Sequence, residues 1–215
     1  MYKRKPLFVV FEGVEGSGKS FQARRLYNKL KKKSASVILT REPGGTKSSE
    51  LIRNLILKDY FNKEKSEKFD KYTDTLLYLA ARNEHIKNKI KPALIKNKIV
   101  ICDRFTDSTI AYQVYGKKIK MNFIKNIHRY ILSGVKPNLT FLLKVSSKTS
   151  SKRLKKRKTK NRYDNFSRNF YKNVQRSFLK IASKKKNYYI LDNSKNSNLI
   201  EERIFNIVSK YLKKK

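Results

Sequence analysis

Short apolar runs alternate along this chain with longer stretches of helical periodicity. Leu7–Phe11, Val37–Leu39, Ile99–Cys102, Phe141–Val145 and Tyr188–Leu191 lack the polar alternation of a half-solvated strand, and so predict strands buried on both faces. Between them, Phe21, Leu26 and Leu30 mark one predicted helix, and Leu76, Leu79, Ala80 and Asn83 mark another. A last helix is predicted near 198–212, with Leu199, Ile204, Ile207, Val208 and Tyr211 mainly on one face. Asn198 and Glu201 have the spacing of a capping box at its start. Strand and helix in alternation predict an α/β fold, with a five-stranded, mostly parallel sheet and right-handed crossovers. No internal repeat is visible. Ser146 to Arg168 is too charged for a core and reads as a mobile flap or a solvated helix.

Composition narrows the picture. A chain of 215 residues with 39% hydrophobic residues can bury one substantial core, so a single domain over 1–215 is expected. No apolar run approaches the roughly 20 residues of a membrane span. The basic start, Met1 to Lys5, is followed by only five apolar residues before Glu12, too few for a secretory leader. The single cysteine, Cys102, excludes an internal disulfide and fits a reducing compartment, so the cytoplasm is the expected location.

The formal charge of +38 raises nucleic acid or an anionic membrane as a partner. The lysines are spread along the whole chain among many Asn and Ile residues, and no RNA- or DNA-binding signature accompanies them. The expectation is therefore no specific nucleic-acid partner and no membrane, with composition alone accounting for most of the charge. The 16 acids are more telling, because Glu12, Glu15, Glu42, Asp103 and Asp107 all lie in or beside the motifs below.

Gly13-Val14-Glu15-Gly16-Ser17-Gly18-Lys19-Ser20 matches G-x4-G-K-[ST], after a predicted strand and before a predicted helix. Such a loop turns successive backbone N–H groups inward at a helix N-terminus and cradles phosphate oxygens. These eight residues are the expected ATP site, with Lys19 at the β- and γ-phosphates and the Ser20 hydroxyl on Mg²⁺. Ile99-Val100-Ile101-Cys102-Asp103 is an apolar strand delivering a carboxylate, so Asp103 is expected at the Mg²⁺ site with Ser20.

Further segments are more specific. Thr40-Arg41-Glu42-Pro43-Gly44-Gly45-Thr46, Leu79-Ala80-Ala81-Arg82, Asp103-Arg104-Phe105 with Ser108 and Ala111-Tyr112-Gln113, and Pro137-Asn138-Leu139-Thr140 occur in order. Together they resemble the thymidylate kinase family, a group of P-loop nucleoside monophosphate kinases, from about residue 6 to the C-terminus. The resemblance implies ATP and dTMP as substrates, Mg²⁺ as cofactor, a homodimer, and a dTMP site that includes Glu42. In it Arg53 and Arg104 would bind the dTMP phosphate, and Tyr78 would stack on the thymine where the family usually has Phe. Arg82, Ser108 and Gln113 would bond the base edge. Tyr112 would lie under the deoxyribose, and Glu15 would meet the sugar 3′-hydroxyl. Blander roles are open from the residues themselves: Arg82 as partner of Glu84 or Asp74, Ser108 as a helix cap, Tyr78 as core.

The chemistry implied is in-line attack of a dTMP phosphate oxygen on the γ-phosphorus, with Lys19 and Arg104 neutralising charge. Some members carry a further catalytic arginine just after the acidic P-loop residue. Gly16 stands there, so this chain resembles the class with that arginine in a lid, here about 146–168. Arg157 is the expected catalytic lid arginine, with Arg153 and Arg162 behind it. The rivals are a kinase for dUMP, UMP or CMP, and a P-loop protein that binds nucleic acid through its charge.

Overall fold

A computed structural model describes residues 6–33, 35–58, 68–156, 167–194 and 197–213. Five strands, β1 (Leu7–Glu12), β2 (Val37–Arg41), β3 (Ile99–Asp103), β4 (Leu139–Lys144) and β5 (Tyr188–Asp192), form one sheet in the order β2-β3-β1-β4-β5. Every pairing is parallel, with Val9 opposite Ile101 on one side and Leu139 on the other. The continuous apolar run of β1 follows from this, since all six of its residues are buried. The edge strands β2 and β5 are not buried on both faces as expected: each has one flank without a neighbouring strand among the described residues, and Ile190 is 44% exposed. β4 begins two residues before the predicted Phe141, because Asn138 docks the chain onto β1: its N–H donates to the Phe8 carbonyl, and Phe8 N–H donates to Asn138 Oδ1 at 2.7 Å.

Helices cover both faces. α1 (Lys19–Lys32) and α9 (Ser197–Lys213) pack on one side, where Leu26, Leu30, Ile204 and Val208 meet Val9, Phe11 and Phe141. On the other side lie α2 (Lys47–Leu57), α3 (Lys71–His85) and α4 (Lys91–Ile95), with a wide π-helical turn over Ile86–Ile90 between the last two. α5 (Thr106–Thr109) runs into a second π-helical stretch, Ile110–Gly116, and α6 (Met121–Ile131) follows. α7 (Ser147–Lys155) and α8 (Arg168–Ala182) precede β5.

Two local expectations are corrected. α9 starts at Ser197, so Asn198 lies inside the helix; its amide and the Glu201 carboxylate pair with Arg25 of α1 instead of forming a capping box. Phe21 and Leu199 are not core: Phe21 is half exposed and Leu199 faces solvent. The described part of Ser146–Arg168 contains a true helix, capped where the Ser146 hydroxyl accepts from Thr149 N–H at 3.1 Å.

Candidate active site

The carboxyl ends of β1 and β3, at the centre of the sheet, carry the phosphate loop and Asp103-Arg104. Neighbouring elements complete a cleft of about 550 Å³ that runs from Gly18 and Lys19 to Arg82 and Gln113. Gly18 caps α1 at φ 88°, and a Cβ there would sit 2.4 Å from the Asn193 amide. That amide donates to the Ser17 carbonyl at 2.8 Å, so the loop after β5 props the phosphate loop from behind. Val14 and Ser17 are buried beneath, and Lys19 Nζ donates to Val14 O at 2.8 Å. Burial and the neighbouring Arg104 guanidinium push the Lys19 ammonium down to about 8.

The Ser20 hydroxyl donates to Asp103 Oδ2, while Asp103 Oδ1 is buried and without a partner among the described residues. A hydroxyl beside a carboxylate with a spare oxygen, at the mouth of a phosphate cradle, fits Mg²⁺. That ion takes one or two protein oxygens and completes its shell with phosphate oxygens and water. No larger His, Cys, Asp or Glu cluster that could hold a metal occurs among the described residues.

Arg104 adopts φ 73°, unusual for a residue with a Cβ, and aims its guanidinium into the cleft. It donates to Gly13 O at 2.9 Å, Ser108 Oγ at 3.0 Å and Glu15 Oε1 at 2.7 Å. Tyr112 O–H donates to the other Glu15 oxygen. Burial by itself would raise the Glu15 carboxyl, but Arg104, Lys19 and the Tyr112 hydroxyl hold it below the usual range. Arg53 donates to the Pro43 carbonyl at 2.6 Å, and Glu50 sits between it and Arg41.

The far end of the cleft is lined by Tyr78, Arg82, Ser108, Tyr112 and Gln113. The π-helical stretch carries the last two, and both are buried against the cleft. Gln113 Nε2 is buried and unpartnered among the described residues, which leaves a hydrogen-bond donor for a ligand. Arg82 is the reverse case. Nε donates to Glu42 at 2.8 Å, Nη1 to Thr109 Oγ1 at 2.7 Å and His128 Nε2 at 3.0 Å, and Nη2 to Phe105 O at 3.0 Å, with Glu42 again at 2.7 Å. All five N–H donors are taken, so a base carbonyl reaching Arg82 must share or displace one partner. Its ion-pair partner is Glu42, while Glu84 bonds Ser48 and Asn88, and Asp74 bonds Lys117. Ser108 is not a helix cap: its N–H and Oγ–H both go to Glu12.

The cleft thus gathers Glu15, Gly16, Gly18, Lys19 and Ser20 of the phosphate loop, and every residue expected at the acceptor site. Arg157 and Arg162 lie outside the described residues. Within them Arg153 reaches the loop, donating to Gly16 O at 3.2 Å and Asn193 O at 2.9 Å. The sequence reading gives Thr109, His128 and Phe21 no place at the site. Only Phe21, an aromatic directly after Ser20, left a signal in the sequence.

A family profile described as Thymidylate kinase matches residues 11–204. A curated thymidylate kinase of Onion yellows phytoplasma is 40% identical over 211 residues, which is 96% of this chain and 97% of that protein. One from Halothermothrix orenii is 46% identical over 138 residues, 64% of this chain and 63% of the relative. The crystal structure of a thymidylate kinase from Ehrlichia chaffeensis superposes with a TM-score of 0.75 at 31% identity, covering 95% of this chain and 99% of that one.

Proposed function

The chain belongs to the thymidylate kinase family, and from that membership we propose the mechanism and the roles of its residues. It is an ATP-dependent nucleoside monophosphate kinase that transfers the γ-phosphoryl group of ATP to dTMP, giving dTDP and ADP. The observation that carries the residue roles is one cleft with a phosphate loop at one end and an unpartnered buried amide, Gln113 Nε2, at the other. A phosphoryl donor and a pyrimidine acceptor placed there would meet at Arg104.

Backbone N–H groups of Gly13 to Ser20 hold the ATP phosphates, and Lys19 leaves Val14 O to reach them. Arg53 and Arg104 orient the dTMP phosphate through their guanidinium forks. That phosphate, with a second pKa of about 6, is largely ionised at neutral pH and needs no strong base. Tyr78 stacks on the thymine, and Gln113 donates to a base carbonyl. Arg82 fixes that wall through Glu42 and touches the base by sharing a donor. Tyr112, tied to Glu15, closes the sugar site against a 2′-hydroxyl. Mg²⁺ held by Ser20 and Asp103 would supply positive charge to the β- and γ-phosphate oxygens. Gly16 leaves no arginine inside the phosphate loop, so a lid arginine completes the charge; Arg157 is assigned the role, and Arg153 is already at the loop.

The whole chain is read as one kinase domain acting in the cytoplasm, where its one thiol stays reduced. A second copy of the chain is the proposed partner. Leu51 and Leu55 of α2 and Leu76 of α3 are exposed on helices that pack together, an apolar face that a dimer would cover. Light scattering that returns one chain mass at micromolar concentration would remove that part.

Phosphorus NMR of ATP, Mg²⁺ and dTMP with the enzyme tests the reaction. Growth of dTDP β-phosphate signal matching the loss of ATP γ-phosphate supports transfer to dTMP. Inorganic phosphate appearing in its place would mean water is the acceptor.

A further inference from the structure

Glu12 is the last residue of β1 and is fully buried, at the end of a run that is otherwise apolar. Another apolar residue would pack there, whereas a buried carboxylate costs desolvation free energy. Its bonds go to one place. Oε1 accepts from Phe105 N–H at 2.9 Å and Ser108 N–H at 3.2 Å, and Oε2 accepts from Ser108 Oγ–H at 2.6 Å. Ser108 Oγ in turn accepts from Arg104 Nη1 at 3.0 Å. The result is a continuous chain from Glu12 through Ser108 to Arg104, across a loop whose arginine holds an unfavourable backbone conformation.

We propose that Glu12 is a positioning residue for phosphoryl transfer, holding the Arg104 guanidinium through Ser108 in the orientation that meets the moving phosphoryl group. The inference rests on the kinase reading above and adds to it a residue that touches neither substrate. The direction of the hydrogen bonds gives it content. Ionised Glu12 accepts from the Ser108 hydroxyl, so the Ser108 lone pairs remain for Arg104. With an amide in its place, Nε2–H donates into Ser108 Oγ and competes with Arg104 for the same oxygen. The negative charge that Arg104 feels from that side disappears as well. The other groups facing Glu12 are Asp107 of α5, itself paired with Lys185 at 2.6 Å, Lys19 of α1 and Tyr188 of β5. Burial and Asp107 raise the Glu12 carboxyl to about 7, so the protein keeps an acid where ionisation is unfavourable.

The test is a kinetic double-mutant cycle of E12Q and S108A, with melting temperature and the KM for ATP measured alongside. E12Q should fold with a melting temperature at or above that of the parent, since it removes a buried charge. Its KM for ATP should stay within twofold while kcat on dTMP falls at least tenfold. S108A should also lose kcat. The double-mutant loss should be at least fivefold smaller than the product of the single losses, because both changes cut one chain. Unchanged kcat in E12Q, or losses that multiply, would overturn the proposal. If E12Q does not fold, E12M takes its place under the same criteria. A parent enzyme that fails to turn over dTMP would defeat the functional reading, whereas an active parent with an indifferent E12Q defeats only this inference.

Discussion

Replacing Arg82 with Met separates a structural arginine from one that only reads a base. The guanidinium is 3% exposed, and its five donors serve Glu42, Thr109, His128 and the Phe105 carbonyl. Methionine fills the space of the stem but leaves Glu42, 4% exposed at its side chain, with His85 Nδ1 at 3.2 Å as its remaining side-chain partner. Breaking a buried ion pair from one side costs about 3–5 kcal/mol. The total stability of a domain is only about 5–15 kcal/mol. For a chain of this size each kcal/mol moves the melting temperature by roughly 2–4 °C, so R82M should melt roughly 6–20 °C lower. The loss depends on pH with a definite sign. Burial would raise the Glu42 carboxyl, but Arg82 and His85 hold it below the usual range, so in the parent it contributes stability above its unfolded pKa. In R82M burial wins and the carboxyl rises, so the gap between parent and variant widens as pH goes from 5 to 8. Urea denaturation at pH 5, 6.5 and 8 measures this. Adding E42Q to R82M should recover at least half of the loss at pH 8. An R82M protein as stable as the parent at pH 8, with its defect confined to dTMP turnover, would refute the reasoning and return Arg82 to base reading alone.

Lys19 gives a second pH effect. With its ammonium at about 8 in the free protein, ATP binding at pH 8.5 should take up roughly three quarters of a proton, by linkage, as the polyphosphate restores the charge. Titration calorimetry in buffers of different ionisation enthalpy reads this, and K19M should bind without it. Glu12, raised to about 7, makes the folded chain hold a proton between about 4.5 and 7 that the unfolded chain releases, so its contribution to stability falls as pH rises through that window. E12Q should therefore gain on the parent across that range, by up to about 3 kcal/mol, and level off above it. Gly18→Ala should weaken ATP binding, measured by reduced thermal stabilisation by ATP, because a Cβ is strained at φ 88° and pushes the Asn193 amide off the Ser17 carbonyl.

The phosphate loop was legible because its chemistry is local: eight consecutive residues specify a turn, a cradle and a helix start. The central strands β1, β3 and β4 were legible because parallel strands covered on both faces have no polar partners to alternate with. What the sequence hid depends on contacts between distant residues. Glu42 and Arg82 are 40 residues apart, whereas Glu84 and Asp74 stand nearer to that arginine along the chain. Asn198 and Glu201 had capping spacing, yet Arg25 on α1 draws both into a helix–helix contact. Glu12 stood beside the motif with no assigned role, since its partners lie 93 and 96 residues away. The second π-helical stretch leaves no periodic mark, yet it carries both Tyr112 and Gln113 into the cleft wall.

The most direct test of the central claim is ADP release from ATP and Mg²⁺ with dTMP, dUMP, UMP, CMP and AMP offered separately, near 150 mM salt by an approximate physiological choice. The account predicts that kcat/KM is highest for dTMP, and that Q113L erodes the preference by removing the free amide at the base site. Equal or faster turnover of another monophosphate would contradict it.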